Sequence, residues 1–150
     1  MITSGLKRGN YKGNRGSQGV GILLSPDGIA AWNAAGMEIH TDLGARLIAI
    51  RLLLKDHQKR DVGVFVISAY APIGNAPEEH WIDYLESLSL CIDRKRKDDI
   101  LIIGSDCNSS MGCSQNKNSP LGQYGLPHVN DAGRRLITYL SISLVFRKSR

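Results

Sequence analysis

Asp106 and Asn108 stand two residues apart in the stretch DDILIIGSDCNSSMGC, residues 98–113. A carboxylate accepts hydrogen bonds and can orient a water molecule or ligate a hard cation, while a carboxamide can donate to a phosphate oxygen. Side chains two apart on an extended backbone share a face, so both groups can point the same way. The same residues are ordinary turn formers after a strand, and the pair alone leaves both readings open. A third candidate, Tyr70, closes the run ISAYAP at 67–72, which also reads as a plain strand end broken by proline. Recurrence favours a site: two apolar runs each end in a group capable of hydrogen bonding. Neighbouring strands would bring those groups to one sheet edge, where ligands of open α/β sheets bind.

The elements that must position these residues follow from periodicity. Ile100 to Ile103 is short, apolar and bounded by polar breakers, which predicts a strand over 99–104 buried on both faces. GVGILLS at 19–25 reads as a strand, PDG at 26–28 as a turn, and 29–35 as a weaker strand. The runs 45–54 and 62–70 form strands joined by a hairpin loop, with 62–70 central. From Pro77 the pattern becomes helical. Glu78 and Glu79 suit the positive end of a helix dipole, Trp81, Tyr84, Leu85, Leu88, Cys91 and Ile92 recur at helical spacing, and Arg94 to Lys97 suit the negative end. A loop of about 25 residues follows the strand at 99–104, long enough to suggest a functional role. Asn130 caps a last helix carrying Leu136, Ile137 and Leu140, and a final strand begins near Leu144.

The 150 residues fit one domain, and 42% hydrophobic with 22% charged residues is a globular balance. No apolar stretch approaches the roughly 18 residues that span a bilayer, so no membrane association is expected. The polar, glycine-rich start lacks a secretory apolar core. Three cysteines, Cys91, Cys107 and Cys113, form no paired framework, which suits an intracellular, nuclear or cytoplasmic, setting. The net charge of +5 is concentrated in a basic leader, residues 1–18, expected to be disordered, and in Arg94, Lys95, Arg96 and Lys97. Such clusters suit a polyphosphate partner and equally a solvated helix end.

GVGILL, ISAYAP, ILIIGSDCNSSMG and GQYGLPHVNDAGRRLITYLSISLV, in this order and spacing, resemble the endonuclease/exonuclease/phosphatase superfamily. The likeness is nearest to the endonuclease domain of non-LTR retrotransposons and their craniofacial-development-protein relatives, and it covers roughly residues 19–148. The resemblance implies a DNase-I-like α/β sandwich, two mainly antiparallel sheets flanked by helices, here partial. It implies hydrolysis of DNA phosphodiesters with Mg²⁺ or Mn²⁺. By the same resemblance Tyr70 contacts the scissile phosphate, while Asp106 orients the attacking water, with an indirect role toward the metal, and Asn108 holds the phosphate.

The departures from the family pattern are specific. The usual Gly-Asp step is Gly104-Ser105-Asp106, one residue longer, which a bulge can absorb. No Glu precedes residue 19 to match the family's upstream metal ligand, and the sequence ends at Arg150 before a terminal Asp and His. Residues 19–150 therefore read as an incomplete domain with impaired cleavage, in which Asp42 or Asp131 are the carboxylates available as substitutes. Two alternatives remain: a phosphatase acting on a soluble phosphoester, and a non-catalytic remnant that binds nucleic acid or protein. His40, His57, His80 and His128 show no metal spacing, Cys107 and Cys113 with His128 fit no common site, and Ser109 and Ser110 lack a base. Gly122, Tyr124, Gly125 and Gly133 read as structural.

Overall fold

The computed structural model describes residues 1–3, 19–117 and 119–148, with side chains as far as 142. Most of the basic leader lies outside the described residues; within it, β1 (Ile2–Thr3) pairs antiparallel with β2 (Gly21–Ile22). The chain divides into two compact units, Met1–Ala71 with Ile82–Asp106, and Pro72–Trp81 with Cys107–Arg150.

The first unit is built on a four-stranded sheet in the order β3 (Ile39–His40), β4 (Leu47–Lys55), β5 (Asp61–Tyr70), β6 (Ile100–Asp106). β3, β4 and β5 are antiparallel, and β6 runs parallel to β5. Among the described residues two sheets and three helices make the fold mixed α/β, the class expected, and consistent with a partial α/β sandwich. The β4–β5 hairpin turns where the sequence predicts, and Asp56 closes it by accepting from the backbone N–H of Gln58 and Arg60 at 2.8 and 2.9 Å. The hairpin register sets one sheet face from Leu47, Ala49, Arg51, Phe65, Ile67 and Ala69, all buried. On that face His40, opposite Ala49, packs its ring at a tilt against Phe65, with centroids 5.6 Å apart.

Three sequence expectations give way. Residues 29–35 are not a strand: α1 spans Pro26–Ala34. The Ser25 hydroxyl accepts from the Gly28 N–H at 3.2 Å, Pro26 occupies the first turn and Asp27 faces the helix dipole. Ser-Pro-Asp is thus a helix start, and the turn residues were capping residues. The final strand near Leu144 is absent, because α3 runs Asp131–Lys148. After Gly133 neither glycine nor proline interrupts it, and Thr138 and Ser141 return their hydroxyls to the carbonyls of Arg134 and Ile137 at 2.9 and 2.8 Å, accommodating β-formers inside a helix. Third, β6 is not buried on both faces. It pairs with β5 alone among the described residues and forms the sheet edge, leaving Ile100 53% and Ile102 51% exposed.

β6 is nevertheless firmly placed. Arg51 on β4 donates to both carboxylate oxygens of Asp99, at 2.9 and 2.8 Å, and both residues are buried. The pair passes over Gly63 of β5, where an added Cβ would lie 1.7 Å from Asp99 Oδ1 and 2.3 Å from Arg51 Nη2. Only a glycine leaves room there. α2 (Glu78–Asp93) supplies the crossover from β5 to β6, and its buried Trp81, Tyr84, Leu88, Cys91 and Ile92 are the residues that the helical period selects. Burial pushes the Cys91 thiol up to about 11, an unreactive setting.

Because the Arg51 guanidinium holds the Asp99 carboxyl below its ordinary 3.8, this pair supports folding at pH values above 3.8 and loses that support as pH falls through the lowered value. Asp99→Ala, which strands a buried guanidinium, is expected to cost about 3–5 kcal/mol in a urea melt at neutral pH. Asp99→Asn is expected to flatten the acid limb of the urea midpoint below about pH 4. An acid limb identical to that of the parent chain would contradict this account of the pair.

Candidate functional site

The parallel register of β5 and β6 runs from Val64 opposite Ile100 to Tyr70 opposite Asp106. The ladder continues one step further, with the Ala71 N–H donating to the Asp106 carbonyl at 2.9 Å. Tyr70 and Asp106 are therefore lateral neighbours at the carboxyl ends of two adjacent parallel strands, as expected if the two runs are neighbours. β6 extends through Gly104, Ser105 and Asp106, so the polar residues belong to the strand itself. Asp106 is exposed and Tyr70 half-buried.

The hairpin adds a residue that sequence reasoning missed. The Tyr70 N–H donates to the Arg46 carbonyl at 2.9 Å, one step beyond the pairing of Leu47 with Ala69. Arg46 thus lies opposite Tyr70 at the mouth of β4. Its guanidinium carbon sits 5.4 Å from the centroid of the Tyr70 ring, and Nη1 donates to the Tyr70 carbonyl at 3.4 Å. A cation over a phenol ring is attracted by the ring quadrupole. The outcome is a row across three strand ends, Arg46, Tyr70 and Asp106: a cation, a phenol and a carboxylate. The signal was in the hairpin register, which places residue 46 opposite residue 70 once the turn is fixed at 56–60.

The basic cluster is engaged within the first unit. Arg94 pairs with Asp42 through Nη1 and Nη2, and its Nη1 also meets His40 Nδ1 at 3.3 Å. Arg96 pairs with Glu38, and Lys95 Nζ donates to the carbonyls of Arg96, Lys97 and Asp99 at 2.7, 3.0 and 2.9 Å. Lys97 is exposed. Arg94 holds the Asp42 carboxyl down at about 2, and Asp42 serves that pair. The cluster mainly ties the end of α2 to the chain around β3.

In the second unit, Asn108 takes φ 43, a left-handed conformation that asparagine tolerates better than most residues. The loop after it is closed by a bridge between Met111 and Val129. Asn130 does two jobs at that closure. Its side-chain oxygen accepts from the N–H of Gly133 at 2.8 Å, capping α3, and from the N–H of Ser110 at 3.2 Å. Its own N–H donates to the Ser110 carbonyl at 3.1 Å. A Cβ at Gly133 would sit 2.0 Å from that carbonyl, so glycine is required for the close approach. Asp131 pairs with Arg134, and Glu78 with Arg135, whose guanidinium lies 5.9 Å from the Trp81 ring centroid.

Among the described residues no three His, Cys, Asp or Glu side chains gather as a metal-ligand set. That covers Cys107, Cys113 and His128. No helix among them is long and apolar enough to cross a membrane.

Asn130→Ala is expected to destabilise the chain by about 1–2 kcal/mol, the cost of a lost cap, and to raise hydrogen exchange at the Ser110 and Gly133 amides together. Faster exchange at Gly133 alone would show that the side chain caps the helix without holding the loop.

No family model matches the chain, and no solved structure matches it. Over 97 residues the chain is 33% identical to craniofacial development protein 2 of Bos taurus, a span of 65% of this chain and 16% of that protein. The same protein of Tragulus javanicus is 32% identical over 97 residues, 65% of this chain and 17% of the relative. The chain thus resembles, across most of its length, a stretch of about one-sixth of craniofacial development protein 2.

Proposed function

We propose that the chain carries part of a phosphodiester-hydrolysing site acting on DNA, of the kind found in endonuclease domains of retrotransposon origin, in an intracellular setting. The observation that carries this reading is the row Arg46, Tyr70, Asp106 at the carboxyl ends of β5 and β6. A guanidinium binds phosphate through paired N–H donors, a phenol donates to a phosphoryl oxygen, and a carboxylate accepts from water and turns its lone pair toward phosphorus. In this reading Arg46 and Tyr70 hold the phosphate, Asp106 orients the water, and Asn108 donates to the phosphate as the family resemblance implies. Support also comes from the ordered motifs of the sequence and from the similarity to craniofacial development protein 2.

A divalent cation would neutralise charge developing on the phosphate. Among the described residues no three His, Cys, Asp or Glu side chains gather to hold it, so in this reading the cation would be held weakly, by Asp106, waters and the phosphate itself. Binding of DNA phosphate without efficient cleavage is the consequence. The test pairs a plasmid-nicking assay in Mg²⁺ and in Mn²⁺ with DNA binding by fluorescence anisotropy over a salt series. Nicking is expected barely above background and unchanged by Asp106→Ala. Binding is expected to be salt-dependent, with Arg46→Ala reducing the slope of log K against log salt by about 1. Efficient nicking abolished by Asp106→Ala would show that a complete metal site forms after all. Absence of DNA binding, with phosphate released from an inositol phosphate, would replace the reading by a phosphatase.

A further inference from the structure

Tyr124, expected to be structural, and Leu126 are among the most exposed large hydrophobic side chains described, at 85% and 82%. They flank Gly125, whose φ of 140° is open to glycine and strained for other residues. The segment that carries them is tied at several levels. Met111 bridges Val129, the Ser114 N–H donates to the Gly122 carbonyl at 2.9 Å, and Gln115 Nε2 donates to the Gln123 carbonyl at 3.4 Å. Gly125 also neighbours Gly112, whose carbonyl a Cβ at Gly125 would meet at an ordinary contact distance of 3.4 Å. Asn130 locks the base through Ser110. The loop is thus braced, and it holds an aromatic and an aliphatic side chain outward, two residues apart.

The electrostatic surroundings select the partner. From Cys107 to Asn130 the sequence contains no Asp or Glu, while Lys117 and His128 are exposed, in a chain of net charge +5. A tip without negative charge can approach phosphates. Tyrosine offers a π-face on which any base stacks, and leucine is a wedge of the type that opens a base step.

We infer that the loop tip Tyr124-Gly125-Leu126 is a nucleic-acid contact, in which Tyr124 stacks on a base and Leu126 wedges the adjoining step of the bound DNA. The inference rests on the proposed DNA substrate and adds to it a binding element in the second unit. Stacking contributes through the base, so its loss weakens binding without changing the number of phosphates neutralised.

The whole chain is titrated onto duplexes carrying 2-aminopurine at successive positions, over a salt series. Wild-type chain and Tyr124→Phe are expected to raise the fluorescence of 2-aminopurine at one position. The double variant Tyr124→Ser/Leu126→Ser is expected to leave it unchanged, to bind roughly 5- to 100-fold more weakly and to keep the wild-type salt slope. Both side chains are exposed, so the double variant is expected to melt at the wild-type temperature; should it not, single Tyr124→Ala and Leu126→Ala variants carry the same comparison. Equal affinity and fluorescence for wild type and variants overturns the wedge while leaving the phosphodiester reading intact. An affinity loss accompanied by a smaller salt slope overturns it too, assigning the tip to phosphate contact. Unchanged DNA affinity with loss of self-association makes the tip a protein contact and overturns the inference. Failure of the wild-type chain to bind any duplex overturns both readings together.

Discussion

The buried pair of Arg51 and Asp99 is the constraint from which the sheet geometry follows. A parallel strand arrives by a long crossover, and no tight turn fixes its register; a slip of one residue would send every side chain to the opposite face. Arg51 is set by the β4–β5 hairpin, and Asp99 enters immediately before β6. Their two hydrogen bonds over the bare backbone of Gly63 fix the lower end of the edge strand. From that anchor seven residues on β5 and seven on β6 lead to Tyr70 and Asp106, which end level. A salt bridge of this kind contributes specificity more than net stability, because desolvating both ions offsets much of their attraction.

The positive charge of the chain is less available than its pI of about 9.3 suggests. Arg51, Arg94, Arg96, Arg134 and Arg135 all meet carboxylates. Arg46 is held differently, against a ring and a carbonyl. A guanidinium positioned by an aromatic face keeps its N–H fork pre-shaped for an incoming oxyanion, whereas one chelated by aspartate must first give up that partner. Three of the four basic residues from Arg94 to Lys97 are already engaged in ion pairs or carbonyl contacts.

Much of this was legible in the sequence where a single physical rule dominated. The β-branched run 62–70 could only be central, and β5 is flanked on both sides. The helical stripe from Trp81 to Ile92 was equally readable, as was the cap at Asn130. Legibility failed where two rules competed. Ser25-Pro26-Asp27 satisfies turn chemistry and helix capping alike, and the alanines that follow decide for helix. Apolar character predicted burial of Ile100 and Ile102, but burial depends on neighbours in space, which composition does not contain. Arg46 was invisible because its place beside Tyr70 comes from cross-strand pairing, and the exposure of Tyr124 because an aromatic beside a glycine looks the same whether it packs inward or stands out.

The open margin of β6 has a consequence for how the molecule must be handled in the cell. Ile100 to Ile103 presents an uninterrupted apolar segment with no proline or lysine, and its outer backbone row has no strand beside it among the described residues. Such margins template the addition of foreign strands, the first step toward cross-β association. The exposed charges at either end, Asp98 before the segment and Asp106 after it, suit a gatekeeper role. Asp106 would then limit fibril growth, so a change there would alter solubility whatever chemistry the strand end performs.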